Sequence, residues 1–300
     1  MTEINPNIEQ YKKAGNIAAQ ARDHGIKLIK VGASLLEVTN QIEEKIFSLG
    51  GKLAFPTQIS INEVAAHNCP TTDDTYVFKE EDMAKIDVGV HVDGFIGDTA
   101  RTVYLGKDEK MISLKQASLN ALNAALKMAT PGTRINEIGA AIEKEITSLG
   151  FEPVKNLSGH GLGQFQIHVK PNIPNCDDES NIKLERGQVF AIEPFATTGG
   201  GMVGEGNDAE VFMLLNKKPV RNIFTRQILK EVDSFNGLPF CSRQLERNFN
   251  KLKVRIGLKE MDQMEMLHLY PPLIEKHKGI VSQAEDTVII DDVPIITTRI

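Results

Sequence analysis

Apolar residues recur at helical spacing in two matching stretches of the chain. In residues 32–50, GASLLEVTNQIEEKIFSLG, the side chains of Leu35, Val38, Ile42, Ile46 and Leu49 fall on one helical face. The closing glycine suits a left-handed C-terminal cap. Residues 132–150, GTRINEIGAAIEKEITSLG, repeat this pattern 100 positions later with 8 identities in 19, among them Gly32/Gly132, Glu37/Glu137, Ile42/Ile142 and the final Ser-Leu-Gly. A further amphipathic helix is predicted before each copy, over residues 8–30 and 112–129. A fixed offset with shared end signals points to an internal duplication.

Period-two and continuous apolar segments follow each helical pair. KEEDMAKIDVGV (79–90) and ERGQVFAIEPFA (185–196) both read as a polar turn and then a short apolar strand ending in a carboxylate, Asp87 or Glu193. Asp93-Gly94 is a hairpin signal. In a two-residue hairpin, facing positions have an odd residue sum; Asp87 and Asp98 satisfy this, so both are expected on one sheet face. In the second half the matching strand, GIVSQAEDTVII (279–290) with Glu285, arrives late: 92 residues separate Glu193 from Glu285, against 11 between Asp87 and Asp98. The intervening segment reads as helices over about 220–234, 242–254 and 258–268, a small helical subdomain splitting the second hairpin. The expected class is α+β, with two pseudo-equivalent halves whose helices cover a curved antiparallel sheet.

Composition narrows the class without changing that picture. The chain has 300 residues, 41% hydrophobic and 25% charged, as in an ordinary globular protein. Mean hydropathy is −0.20, and no apolar run reaches the length of a membrane helix. The N-terminal MTEINPNIEQYKK lacks the basic and apolar regions of a secretory signal. Cys69, Cys176 and Cys241 are few, far apart and odd in number, so they are expected as buried structural thiols in a reducing, cytoplasmic setting. The net charge of −6 argues against a dedicated nucleic-acid binder. Residues 217–278 nevertheless hold 13 Lys/Arg against 7 Asp/Glu, which makes the late insertion a basic surface on an acidic protein.

Four carboxylates on strands of two related halves demand an explanation. Asp and Glu are disfavoured inside strands, and four on one face would repel unless a cation neutralised them. One added histidine completes an oxygen-rich site suited to Mn, Fe(II), Co or Zn. His160, between glycines in NLSGHGLG, is the first candidate, followed by His168 in FQIHVKPNIP and His67 in NEVAAHNCP. His24, His268 and His277 suit surface or structural roles, and His91, beside the hairpin turn, is expected to be exposed.

KIDVGVHVDGFIGDTA, NLSGHGLGQFQIH, FAIEPFA and VSQAEDTVII resemble the metal-site segments of methionine aminopeptidases with the pita-bread fold. The split second hairpin resembles the type II subgroup, and the short N-terminal region resembles its archaeal form. The resemblance implies a catalytic domain over residues 1–205 and 279–300, with a helical, winged-helix-like insertion over 206–278. It implies that Asp87, Asp98, His160, Glu193 and Glu285 bind two divalent ions (Co, Mn, Fe or Zn), with a water or hydroxide between them as nucleophile. Asp98 and Glu285 would bridge the ions, Asp87 would bind one, and His160 with Glu193 the other. Glu193 would accept the water proton, and His67 and His168 would bind the scissile amide and the tetrahedral intermediate. Phe55, His67 and Ile167 would receive the methionine side chain. Asp286 departs from the histidine or other residue expected beside Glu285, at a position that is not a ligand. The implied substrates are nascent polypeptide N-termini with a small second residue, cleaved by a monomer without membrane contact. The basic insertion is a candidate ribosome-docking surface. Alternatives are an X-Pro dipeptidase or aminopeptidase of the same fold, which usually has a further N-terminal domain, and a non-catalytic binding module of that fold, which loses ligands.

Overall fold

The duplication is written into the backbone of a computed structural model, which describes residues 7–300. Helix α1 spans Ile8–Leu28 and α2 spans Leu35–Ser48; α3 (Glu109–Met128) and α4 (Ile135–Ser148) repeat them. Gly32 and Gly132 turn the chain at φ 87° and 90°, and Gly50 and Gly150 close the second helix of each pair at 80° and 79°. Only glycine enters that region without strain. The amide of Gly32 donates to the Phe78 carbonyl, and that of Gly132 to the Leu184 carbonyl, each at 2.8 Å. The same pairing thus ties each helical pair to the segment that precedes its carboxylate strand.

Each half has its own core. Ile17, Ala18 and Ala21 of α1 and Leu35, Val38, Ile42 and Ile46 of α2 pack on Ile59, Ile86, Val88 and Val90. Leu114, Ala121 and Leu122 of α3 and Ile138, Ile142 and Ile146 of α4 pack on Phe190, Ile192, Val288 and Ile290. The helices cover one side of antiparallel sheets; Asp87 and Asp98 lie on the covered strands, while Glu193 and Glu285 lie at strand ends.

The first hairpin, Met83–Val92 with Phe95–Tyr104, has the two-residue loop expected at Asp93-Gly94 and pairs Asp87 with Ala100 and Gly89 with Asp98. Asp87 sits in mid-strand rather than at its end. In the second half, Val189–Ile192 pairs with both Ser158–Gly163 and Asp286–Ile289. The expected strand over 279–290 is interrupted: Val281–Gln283 joins Phe195–Thr197, Asp286–Ile289 joins Val189–Ile192, and Glu285 lies at the break.

The insertion differs in detail from its expected helices. α5 covers Ile223–Asp233, α6 only Ser242–Glu246, and α7 Lys251–Gln263. Asn250 ends the expected second helix by capping α7, its Oδ1 accepting from the Lys253 amide at 3.0 Å. The expected third helix ends early because Leu267–Tyr270 joins Val211–Leu214, which also pairs with Phe240–Cys241. Phe212, Ile228, Phe240, Leu245, Val254 and Met261 give this unit its own core. Below it, Val203–Glu205 and Leu273–Glu275 form a paired neck.

Two expectations about exposure are corrected. His91 is buried, because its Nδ1 folds back to accept the Gly94 amide at 3.1 Å within the hairpin turn. Cys69 and Cys241 are buried, but Cys176 is only half-buried, in a polar loop beside Asp177 and Asp178. Among the described residues, no helix is long and apolar enough to cross a membrane.

Candidate metal centre

Asp87 and Asp98 occupy diagonal positions on one face of the hairpin, as their pairing with Ala100 and Gly89 requires. Glu285 reaches the same place through a bridge to Ala100 from the broken strand of the other half. His160 stands opposite Ala191, and Glu193 follows the end of that partner strand. Residues from both halves of the duplication therefore converge. The His160 Nε2 lies 3.6 Å from Glu193 Oε1 and 3.8 Å from Asp98 Oδ2. One ligand atom from each of Asp98, His160 and Glu285 lies within 4.8 Å of the others.

Charge density makes this cluster unusual. Burial pushes the Asp87 carboxyl up to about 7. Asp98 is raised well above the usual carboxylate range by burial and the Asp87 charge, while Glu193 and Glu285 are raised by burial and by their neighbouring carboxylates. Burial, then the nearby His168, lowers His160 to about 3, so its imidazole is neutral and offers a lone pair. Asp87 Oδ1, Asp98 Oδ1 and Glu285 Oε2 are buried without a hydrogen-bond partner, three of the six such side-chain atoms among the described residues. Orphaned anionic oxygens around a neutral imidazole fit a divalent cation, which would offset both the repulsion and the desolvation.

The cluster forms one wall of a cavity. All nine residues singled out in the sequence line it: the five above together with Phe55, His67, Ile167 and His168. Phe55 and Ile167 form a buried apolar wall. His67 adopts a left-handed φ of 65°, held by its amide donating to Gln58 Oε1 at 2.8 Å. Its Nδ1 lies 3.2 Å from the Pro271 carbonyl, and burial lowers it to about 4. The ring of His168, at the exposed rim, lies 4.6 Å from that of His160.

The sequence reading missed Gln58, Val211, Pro239, Tyr270 and Gln283. Tyr270 packs edge-on against His67 with ring centres 5.4 Å apart. It belongs to the insertion, so only the tertiary fold brings it here. Gln283 donates from Nε2 to Glu193 Oε2 at 3.4 Å; its position two residues before Glu285 was an available alternation signal. Asp286 does not line the cavity; its carboxylate is fully buried against Arg101, Thr298 and Arg299.

Comparison with known proteins agrees with this geometry. Residues 9–221 match the sequence model of metallopeptidase family M24. A methionine aminopeptidase of Pyrococcus abyssi is 41% identical over 296 residues, covering 98% of this chain and 100% of its own. A crystal structure of methionine aminopeptidase from Thermotoga maritima matches with a TM-score of 0.73 at 25% identity, covering 100% of both chains. A prolidase from Pyrococcus furiosus shares the fold at 22% identity and a TM-score of 0.63, but this chain spans only 64% of it. The fold is thus the pita-bread arrangement that the resemblance implied, built on the α+β duplication read from the sequence.

Proposed function

The chain belongs to metallopeptidase family M24, and from that premise we propose that it is a methionine aminopeptidase acting on nascent chains whose second residue is small. The observation that carries the reading is the set of buried, unpartnered carboxylate oxygens of Asp87, Asp98 and Glu285. They stand in a chain similar over nearly its whole length to proteins named methionine aminopeptidase. The X-Pro alternative has less support, because the Pyrococcus abyssi methionine aminopeptidase is 41% identical over 98% of this chain whereas the prolidase is only 22% identical. The binding-module alternative is disfavoured by the presence of all five candidate ligands.

We assign Asp87, Asp98, His160, Glu193 and Glu285 to two divalent ions drawn from Co, Mn, Fe or Zn. Such ions supply Lewis-acid polarisation and lower the pKa of a water molecule that serves as nucleophile. Glu193 is positioned by Gln283 to accept the water proton and to return it to the departing amine. His67 and His168 line the same cavity and orient the scissile amide; a neutral imidazole donates to developing negative charge on its oxygen. Phe55 and Ile167 receive the methionine side chain, whose thioether packs well against an aromatic ring. The preference for a small second residue is carried by the similarity to methionine aminopeptidases.

We further assign residues 1–205 and 279–300 to the catalytic unit and 206–278 to the insertion; residues 1–6 lie outside the described structure. The insertion's separate core supports this division. Its exposed Arg221, Arg226 and Lys230 support a contact with the ribosome surface where nascent N-termini emerge. The substrate reading is tested by offering Met-Ala-Ser beside an Ala-Pro dipeptide with each metal in turn. Release of free methionine is expected, and cleavage of the proline peptide alone would transfer the protein to the dipeptidase branch.

A further inference from the structure

Directly behind Glu285, a second polar cluster sits outside the cavity. The carboxylate of Asp286 is fully buried and is met by Arg101, whose Nη2 lies 2.9 Å from both of its oxygens. Arg299 donates from Nε at 2.7 Å, the Thr298 hydroxyl donates at 2.9 Å, and Arg22 Nη1 lies 3.6 Å away. The same Arg101 turns its other nitrogen, Nη1, to the main-chain oxygen of Glu285 at 2.6 Å. That oxygen also accepts the Thr99 hydroxyl at 2.9 Å, and Arg22 in turn donates to Thr99 at 2.6 Å.

We propose that Asp286 is a positioning residue of the metal centre, acting through Arg101 to fix the main chain of Glu285 and with it the Glu285 carboxylate. Glu285 needs such a device. It lies where the strand is broken between Gln283 and Asp286, so ladder pairing alone does not hold it. Its main-chain partner is Ala100, through an isolated bridge, and its carbonyl is otherwise held by side-chain donors. Arg101 closes that gap because a planar guanidinium can serve a carboxylate and a carbonyl at once. Without the Asp286 charge, Arg101 would lose the anchor on its Nη2 side and be held only through Nη1 at the Ala100 and Glu285 carbonyls, and the Glu285 carboxylate would lose its aim. Asp98 is held from the same strand, since the Thr287 hydroxyl donates to its carbonyl at 2.9 Å and accepts its amide at 2.8 Å. The network therefore reaches two of the candidate ligands without touching substrate. Groups that orient metal ligands typically change metal affinity by about 10–100-fold when removed.

This inference rests on the reading of Glu285 as a ligand, so the test carries that reading as its own arm. Co(II) binding to the full-length, metal-stripped protein is measured by calorimetry, and the visible absorption of bound Co(II) is recorded, for wild type, Glu285→Gln, Asp286→Asn and Arg101→Lys. Glu285→Gln is expected to weaken Co(II) binding strongly. Asp286→Asn is nearly isosteric but neutral, and is expected to weaken binding by about 10–100-fold and to alter the Co(II) spectrum. Arg101→Lys keeps the cation but not the two-sided contact and is expected to do the same, and it decides the matter if Asp286→Asn does not fold. A merely structural role predicts a lower melting temperature with wild-type affinity and spectrum in the folded protein; that result, with Glu285→Gln still impaired, would overturn the inference alone. Wild-type binding by Glu285→Gln would overturn the ligand reading beneath it.

Discussion

Asp87 carries the clearest residue-scale consequence of the site. Its folded carboxyl titrates near 7, against about 3.9 in an unfolded chain, so the metal-free fold holds that proton more tightly. Its stabilising contribution is complete below about pH 4 and is lost as pH rises towards 7. Asp87→Asn should therefore gain on wild type in metal-free denaturation curves by about 4 kcal/mol between pH 4 and pH 8. A constant difference across that range would contradict the burial argument. The Phe55 wall proposed to receive the methionine side chain is equally sensitive. A Cβ on Gly89 would come within 2.1 Å of the Phe55 ring, displacing it from the cavity. Gly89→Ala should raise KM for methionine peptides by about tenfold or more, with a smaller change in kcat. Residues of this kind were partly legible in the sequence. A carboxylate between Ile86 and Val88, or between Ile192 and Pro194, breaks an apolar strand and declares itself. Asp286 breaks one as well, yet its cage of Arg22, Arg101 and Arg299 comes from distant parts of the chain, and no local pattern could supply it.

At the scale of elements, local signals served well wherever structure is local. Four helices and the Asp93-Gly94 hairpin could be read directly, because amphipathic period and turn chemistry act within a few residues. The insertion was harder. Leu267–Tyr270 continues the apolar pattern of α7 but pairs with Val211–Leu214, about 55 residues earlier, and that long-range ladder overrides helix propensity. The break at Glu285 was likewise invisible, since it depends on two different partner strands. Close contact between elements gives a further prediction. Helix α1 approaches the first hairpin so closely that a Cβ on Gly97 would lie 2.4 Å from the Gly15 Cα. Gly97→Ala should cost about 1–3 kcal/mol in denaturant unfolding, because backbone rather than a movable side chain stands in the way. An unchanged midpoint would mean that the helix shifts freely.

Across the whole molecule, one buried charge joins the insertion to the catalytic halves. Glu43 of α2 is fully buried and is gripped by Arg243 at 2.6 and 2.9 Å and by Arg247 at 2.7 Å. Its counterpart in the repeat, Glu143, is half-buried and meets no arginine, with a long 3.8 Å contact to Lys155 and the Asp177 amide donating to it at 3.3 Å. The same repeat position has thus acquired a role that the repeat itself could not disclose. Glu43→Ala would strand the buried Arg243 and should destabilise the protein by about 3–5 kcal/mol. The basic face of the insertion makes a separate prediction. Charge reversal of Arg221, Arg226 and Lys230 should weaken co-sedimentation with ribosomes, most clearly at moderate salt, and unchanged binding would remove that proposal. The most direct test of the central claim is metal reconstitution of the chelator-stripped protein, with bound ions counted by calorimetry and methionine release from Met-Ala-Ser followed in parallel. The account predicts silence without metal, restored release on adding a divalent ion, and loss of both binding and release in Asp98→Ala. Methionine release that persists without metal, or in Asp98→Ala, would contradict it.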